Sequence, residues 1–276
     1  MKTTWRRAGV AALTATVLWC GAAAAIAQDT YSWVWSQKVG DALKFRTYVR
    51  ITARQADNSG DIVITTRSES RHDYKAVAED GTITYEQLDE KAEAILNGAP
   101  IPPAAAGPKP VTITLGKNGV MAKRVNPAAD PFDRSQKSII ALMAMPAPPK
   151  PVAVGESWKT DIPNPLMKGK IITITSTLVG IEKVLGKDAI RVKQESTFPS
   201  VFGADENETL VVKGEYWLDA ADKSLLKMSY NVKNPVLPFP AAKIQSIGLV
   251  HRIVPGVNDK EDAEGEKLYF QPKADK

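Results

Sequence analysis

Two histidines, His72 and His251, are the side chains of this sequence best suited to proton transfer or metal binding near neutral pH. Neither lies in a His-x-His or His-Glu-x-x-His sequence, and the one cysteine, Cys20, lies in an apolar N-terminal run. No Gly-x-Ser-x-Gly sequence offers a serine nucleophile. We therefore predict a protein without catalytic residues of these kinds, without a metal and without a cofactor.

Acidic residues form two clusters, which are the remaining candidates for catalytic or metal-binding side chains. The first lies among helix-forming residues and the second in a connection between predicted strands. The members are Glu86, Asp89, Glu90 and Glu93 in the first cluster and Asp205, Glu206 and Glu208 in the second. Two carboxylates facing across a cleft would support glycoside hydrolysis, and the second cluster has oxygen ligands for a weak calcium site. Because neither has a metal-loop spacing, we interpret both as solvated surface.

Aromatic and methionine side chains offer a different chemistry, the binding of an apolar or sugar ligand. Tyr31, Trp33 and Trp35 alternate and so share one face of an extended segment, and residues 139–145 form an apolar run with two methionines. Core packing is the preferred interpretation of both patterns, and ligand binding is the alternative. For a bound apolar ligand, the expected lining residues are Trp33, Trp35, Ile139, Met143, Trp158 and Trp217.

Alternation of apolar and polar residues predicts the strands that would position these side chains. From residue 43 to residue 54 apolar residues occupy most alternate positions, which gives a strand one dry and one wet face. Residues 61–70 alternate too, and Asp57-Asn58-Ser59-Gly60 supplies a turn between the two strands. Alternating segments return between residues 152 and 255, so we expect a mostly antiparallel sheet.

Two segments are predicted to be helices that pack on this sheet. Thr84 and Gln87 have the spacing of a capping box at the start of residues 85–96, which are good helix formers and end at Asn97-Gly98. Residues 132–145 form the second predicted helix, which is too apolar to face water. It would either fill the core or form the floor of a lipid-binding groove.

The predicted fold class is mainly β (β-rich α+β): a long curved antiparallel sheet or half-barrel with two helices packed on it. An N-terminal half (28–145) and a C-terminal half (152–255) flank a proline-rich linker at 146–151, and residues 256–276 form a charged, mobile tail with an aromatic segment that docks. Val39-Gly40-Asp41 and Val154-Gly155-Glu156 each lead into a strand region, which agrees with two similar halves. Chance recurrence of a glycine-acid turn gives the same pattern.

Residues 1–27 have the features of a secretory signal peptide: a basic start, an apolar run, and small residues at Ala25 and Ala27 before the cleavage position. Lipidation at Cys20 and twin-arginine export at Arg6-Arg7 are alternatives that the neighbouring residues favour less. Removal of the segment takes away three positive charges and lowers the net charge from +5 to +2. We expect a periplasmic or secreted protein with no nucleic-acid partner and no transmembrane segment after cleavage.

The last hundred residues combine three recognisable patterns. Residues 179–192 form a hairpin, Gly214-Glu215-Tyr216-Trp217-Leu218-Asp219 a Trp-x-Asp strand, and Leu225-Leu226-Lys227-Met228 a strand with a Leu-Lys pair. This order resembles that of uncharacterised exported bacterial β-rich proteins and is distantly similar to periplasmic half-barrels of the lipoprotein-carrier type. The resemblance implies a curved antiparallel sheet, covered by helices, that holds acyl chains.

These patterns together predict a noncatalytic exported envelope protein that binds an apolar ligand such as a lipid or a lipoprotein acyl chain. A structural or protein-interaction module, with another envelope protein as its partner, is the second alternative. A hydrolase with an acidic site is the third.

Overall fold

The computed structural model of the protein describes residues 29–55, 60–102, 109–127, 144–164, 169–199, 209–235 and 241–270. The predicted signal peptide (1–27) and the second acidic cluster lie outside these ranges. So does the predicted helix 132–145, apart from its last two residues. Within the described ranges, no helix has the length and apolar character needed to cross a membrane.

Fourteen strands occupy most of the described chain. They are β1 (Thr30–Tyr31), β2 (Ala42–Gln55), β3 (Asp61–Val77), β4 (Ile83–Leu96), β5 (Ala99–Ile101), β6 (Val111–Leu115), β7 (Met121–Val125), β8 (Val152–Ala153), β9 (Ser157–Pro163), β10 (Ile171–Val184), β11 (Lys187–Pro199), β12 (Thr209–Asp219), β13 (Leu225–Lys233) and β14 (Ala241–Arg252). β1 and β8 form a two-stranded sheet, and the others form one 12-stranded sheet.

The large sheet consists of two antiparallel meanders that share one seam. Its order is β7-β6-β4-β3-β2-β14-β13-β12-β11-β10-β9, with β5 paired to β4. The seam is the antiparallel pair β2 and β14, in which Tyr48 lies opposite Leu249 and Thr47 opposite Val250. The predicted long antiparallel sheet is therefore confirmed, and the two halves of the chain share it.

The helix predicted over residues 85–96 is wrong, because these residues form strand β4. β4 pairs with β3 along one side and with β5 and β6 along the other. Its burial follows the period of a strand where it enters the core, with Ile83 and Tyr85 buried. The glutamates, lysine and alanines of this segment favour a helix locally, but ladder pairing on both sides outweighs that preference.

The predicted helix stop, Asn97-Gly98, is instead the turn of a tight hairpin between β4 and β5. Both residues have positive φ, 48° at Asn97 and 85° at Gly98. A two-residue connection with positive φ at both positions is the type I′ turn that fits the twist of a hairpin, and Asn-Gly is its preferred sequence. The Asn97 side chain also accepts a hydrogen bond from the Val63 backbone N–H at 2.7 Å.

The sheet curls around a core to which both meanders contribute. Residues at both ends of the strand order pack into one buried cluster. Its members are Trp33, Trp35, Tyr74, Ile83, Tyr85, Ile113, Leu115, Met145, Val152, Trp158, Leu178, Ile190, Val192, Tyr216, Leu218 and Met228. A flat sheet would not bring β6 and β11 together, so the concave face encloses the interior.

Residues 144–148 cross this interior, although the sequence predicts a linker from residue 146. The Pro146 carbonyl accepts hydrogen bonds from Trp158 Nε1 at 3.2 Å and from the Tyr216 hydroxyl at 3.4 Å. The Ala144 carbonyl accepts one from the Gln194 amide at 3.0 Å. These donors come from β9, β11 and β12, so the C-terminal meander holds the segment in place.

The outer face of the seam is covered by a short C-terminal segment, which we call the clasp (residues 258–270). It contains helix α1 (Asp259–Gly265) and a π-helical segment (Glu266–Phe270). α1 is the one α-helix in the described ranges, and it is neither of the predicted helices: residues 85–96 lie in strand β4, and residues 132–143 lie outside the described residues. Tyr269 is buried against Tyr48 and Leu249, which places an aromatic residue of the predicted tail on the sheet.

Ion pairs bind the clasp to the strands beneath it. Arg46 of β2 lies 2.5 Å from Asp262, and Lys227 of β13 lies 2.8 Å from Glu264. Arg67 of β3 pairs with Glu266. Because these strands belong to both meanders, the clasp reinforces the seam.

We predict that Gly265→Ala destabilises the protein by about 1–3 kcal/mol, the usual cost of overpacking. A Cβ atom at Gly265 would overlap the ring of Tyr48. At an unobstructed helical position the same change stabilises by about 1 kcal/mol, so the sign of the effect tests the close approach. Urea unfolding measures the free energy, with Lys260→Ala on the exposed side of α1 as the near-neutral control. Increased stability of Gly265→Ala would show that the clasp does not lie against Tyr48.

Candidate functional site

A cavity of about 230 Å³ lies on the concave face where the two meanders meet. Strands β2, β3 and β4 of the first meander and β13 and β14 of the second contribute to its wall. Its lining residues are Trp35, Gln37, Phe45, Thr47, Ser68, Ser70, His72, Tyr74, Tyr85, Gln87, Asp89, Leu115, Met121, Met145, Leu225, Met228, Tyr230 and Val250. The cavity depends on the seam, because its two walls come from opposite ends of the chain.

The inner part of the cavity is aromatic and apolar. Tyr74 and Tyr85 lie opposite each other on β3 and β4, with ring centroids 5.5 Å apart, and Trp35 is buried beside them. Met145 from the crossing segment and Met228 from β13 supply flexible thioether side chains. Such a lining favours a hydrocarbon group over a strongly hydrated one.

The cavity becomes polar toward its mouth. Toward the mouth, His72 is succeeded by Ser70 and then Ser68 along the inward face of β3, and Tyr85 by Gln87 and then Asp89 along β4. Asp89 is an exposed residue of the lining and marks the opening to solvent. The Gln87 amide donates a hydrogen bond to the Asp89 carboxylate at 3.3 Å. The site is therefore amphipathic, with an apolar interior and a polar entrance.

His72 lies between two aromatic rings in the middle of the wall. Its centroid is 4.6 Å from that of Phe45 and 4.8 Å from that of Tyr85, with which it is stacked. Burial among these rings lowers the pKa of His72 to about 4, against a weaker opposing effect of Asp73. The imidazole is therefore neutral at neutral pH and contributes a polar but uncharged surface.

Gln37 is a buried polar residue of the cavity wall, 6% exposed. Its amide nitrogen donates to the Asp222 carbonyl at 3.3 Å. That orientation leaves Oε1 without a hydrogen-bond donor among the described residues. A buried acceptor without a donor is costly, so this atom is suited to a donor supplied by a ligand.

The structure separates the six residues predicted to line a ligand site. Trp35 lines the cavity, whereas Trp33 and Trp158 pack edge to face in the neighbouring core, with centroids 5.6 Å apart. Trp217 lies on the outer face, where Arg191 is 5.4 Å from its ring. The remaining two, Ile139 and Met143, lie outside the described residues.

Sequence reasoning missed several residues of the cavity, above all His72, Phe45, Tyr74 and Tyr85. The alternation of β3 contained a usable signal, because Ser68, Ser70, His72 and Tyr74 occupy every second position. Tyr85 was hidden by the wrong helix prediction for its segment. The pairing of β2 with β14 joins residues about two hundred positions apart, and no local pattern gives that pairing.

A second pocket, of about 290 Å³, lies on the outer face beside the clasp. Its charged side chains pair with one another: Glu69 lies 2.7 Å from Arg46 and 3.0 Å from Lys91, and Arg67 lies 2.7 Å from Glu93. The buried His251 lies 3.0 Å from Asp262, a residue of the pocket lining, and burial lowers the pKa of its imidazole. Because its cations and anions are mutually neutralised, we assign this pocket to the attachment of the clasp.

We predict that His72 makes the protein less stable as the pH falls from about 6.5, the pKa of an unfolded histidine, to about 4. In that range the unfolded chain binds a proton that the folded chain does not, so the contribution of His72 is complete above pH 6.5 and declines below it. His72→Phe keeps an aromatic ring and removes the titration. The difference in unfolding free energy between the two proteins should change by about 3 kcal/mol across the range, as measured by urea unfolding. A difference that does not vary with pH would contradict the burial of His72.

Comparisons with known proteins found only distant similarities. No family model matches the sequence, and no curated protein matches it significantly. The chain is similar to a solved structure from Bacteroides fragilis described as an exported protein with a YmcC-like fold, at 10% identity and a TM-score of 0.32 over 81% of this chain and 100% of that one. It is similar to a lipoprotein from Parabacteroides distasonis, at 13% identity and a TM-score of 0.28 over 82% and 100% of the chains. It is also similar to an outer membrane lipoprotein-sorting protein domain from Vibrio parahaemolyticus, at 12% identity and a TM-score of 0.18 over 83% and 92%.

Proposed function

We propose that this is an exported envelope protein that binds the apolar part of a small ligand, such as an acyl chain, in the concave cavity. The observation that carries the proposal is the cavity itself, about 230 Å³ of space in an otherwise packed aromatic and methionine-rich interior. Protein interiors are normally packed without voids much larger than a water molecule. A recess of this size, lined by apolar side chains and open to solvent at Asp89, is suited to a small apolar occupant.

The volume indicates the size of that occupant. A cavity of about 150 Å³ lined by apolar side chains holds one benzene molecule, so the same packing would place roughly nine carbon atoms here. That is the size of a medium-length alkyl chain or of the end of a longer one. Burial of each methylene group contributes about 0.8 kcal/mol, which gives an alkyl chain of this length useful affinity.

The proposed location rests on the N-terminal sequence. Residues 1–27 have the basic start, the apolar run and the small residues of a secretory signal peptide, which would deliver the mature chain to the periplasm or the exterior. A lipid or a lipoprotein acyl chain is a plentiful apolar ligand in that environment. The binding role needs no catalytic group.

A role in protein interaction is the second candidate, and one surface favours it. Ile171 of β10 is 66% exposed and lies opposite Pro163 of the edge strand β9. Exposed apolar residues next to a sheet edge are typical of a surface that another protein covers. Crosslinking in intact cells through a photoreactive residue at position 171 would test this role separately.

We predict that Val250→Phe weakens the binding of an apolar probe at least tenfold, because the larger side chain would occupy the cavity. N-phenylnaphthylamine, a neutral dye that fluoresces in apolar surroundings, is the probe, and titration gives its dissociation constant. Val179→Phe is the matched control, since Val179 lies on β10 away from the cavity and is 38% exposed. Equal affinity in both variants would place the dye elsewhere, and no binding to the unaltered protein would refute the proposed function.

A further inference from the structure

The charges around the cavity are markedly one-sided. Among the described residues, the lining includes neither lysine nor arginine, and its one carboxylate is Asp89 at the mouth. His72 lies between the rings of Phe45 and Tyr85, and because this enclosure lowers its pKa it carries no charge at neutral pH. The polar part of the described wall is thus neutral or negative.

Three basic side chains of the strands that form the wall, or pair with it, have partners away from the cavity. Arg46 and Lys91 lie on the outer face, where both pair with Glu69. Arg252 is buried at the seam, where its Nε donates to the Leu225 carbonyl at 3.1 Å and its guanidinium lies 3.9 Å from Asp219. These cations are already neutralised by partners and do not serve a ligand in the cavity.

The wall has unused hydrogen-bonding capacity of both kinds: Nε1 of Trp35 is a donor without an acceptor among the described residues, and the acceptors include the carboxylate at the mouth. Oε1 of the buried Gln37 has no donor among the described residues. The Asp89 carboxylate at the mouth accepts a long hydrogen bond, 3.3 Å, from the Gln87 amide, and its oxygens can accept further hydrogen bonds. The mouth of the cavity, where Asp89 lies, therefore favours a ligand group that donates a hydrogen bond.

We propose that the ligand's polar group is a hydrogen-bond donor without negative charge, a hydroxyl or an ammonium, and that the cavity rejects carboxylate and phosphate head groups. This inference rests on the proposed function and names the ligand class of the same site. A carboxylate placed at the mouth would meet Asp89 as a like charge, with no described cation to offset the repulsion or the lost hydration. A hydroxyl would donate to Asp89, and an ammonium would also gain attraction from its charge.

Three probes with the same alkyl chain separate these possibilities: octanol, octylammonium and octanoate. Each probe is titrated into the unaltered protein with bound N-phenylnaphthylamine, and displacement of the dye gives the affinity of the probe. We expect octanol and octylammonium to bind at least about tenfold more tightly than octanoate. If octanoate binds as tightly as octanol, the inference is wrong while the proposed function stands; if none displaces a bound dye, the cavity is not an alkyl site.

A charge reversal at the mouth tests the role of Asp89 directly. Asp89→Lys should strengthen octanoate binding and weaken octylammonium binding, each by about fivefold at low ionic strength, and leave octanol binding little changed. Glu79→Lys is the matched control, because it makes the same change in net charge at an exposed position outside the lining. If both variants shift octanoate binding equally, the effect belongs to the overall charge of the protein and the assignment of Asp89 fails.

Discussion

The pairing of β2 with β14 is the interaction on which the rest of the structure depends. Without it the chain would form two separate meanders, each with an additional exposed edge and an uncovered apolar face. With it, the inward faces of both meanders curve around one core, and the walls of the cavity come within reach of each other. Because the paired strands lie near opposite ends of the chain, forming the seam costs loop-closure entropy before the pairing stabilises it.

Two non-strand segments consolidate that seam from opposite sides. On the concave side, residues 144–148 cross the interior, and the buried Pro146 carbonyl is held by Trp158 and Tyr216. On the outer side, the clasp packs Tyr269 against Tyr48 and Leu249, one residue from each strand of the seam. Each segment contacts strands that are far apart in sequence, so both help to hold the two meanders of the curved sheet around one core.

Local sequence patterns predicted the sheet well and the site poorly. Period-two alternation is a property of each strand, so it was sufficient for β2, β3 and most of the second meander. It failed at β4, where Glu, Lys and Ala favour a helix and the deciding interaction is pairing with β3 and β6. The cavity is still less local: Phe45, His72 and Met228 share a wall only because the seam brings their strands together. The alternation of Tyr31, Trp33 and Trp35 predicts one shared face, and of these residues Trp35 lies in the cavity wall; its contact with a ligand stays a prediction.

The free-energy cost of leaving the cavity unfilled bears on its role. An empty apolar cavity inside a core costs about 24 cal/mol per Å³, and because this cavity opens to solvent at Asp89, only its inner apolar part carries such a cost. Water is accommodated best near Asp89 and Gln87, where polar groups lie together, and less well beside Met145 and Met228. Larger side chains at the inner positions would fill the space and stabilise the fold. Binding of the proposed apolar ligand would bury its surface against both meanders and so stabilise the same seam that creates the site.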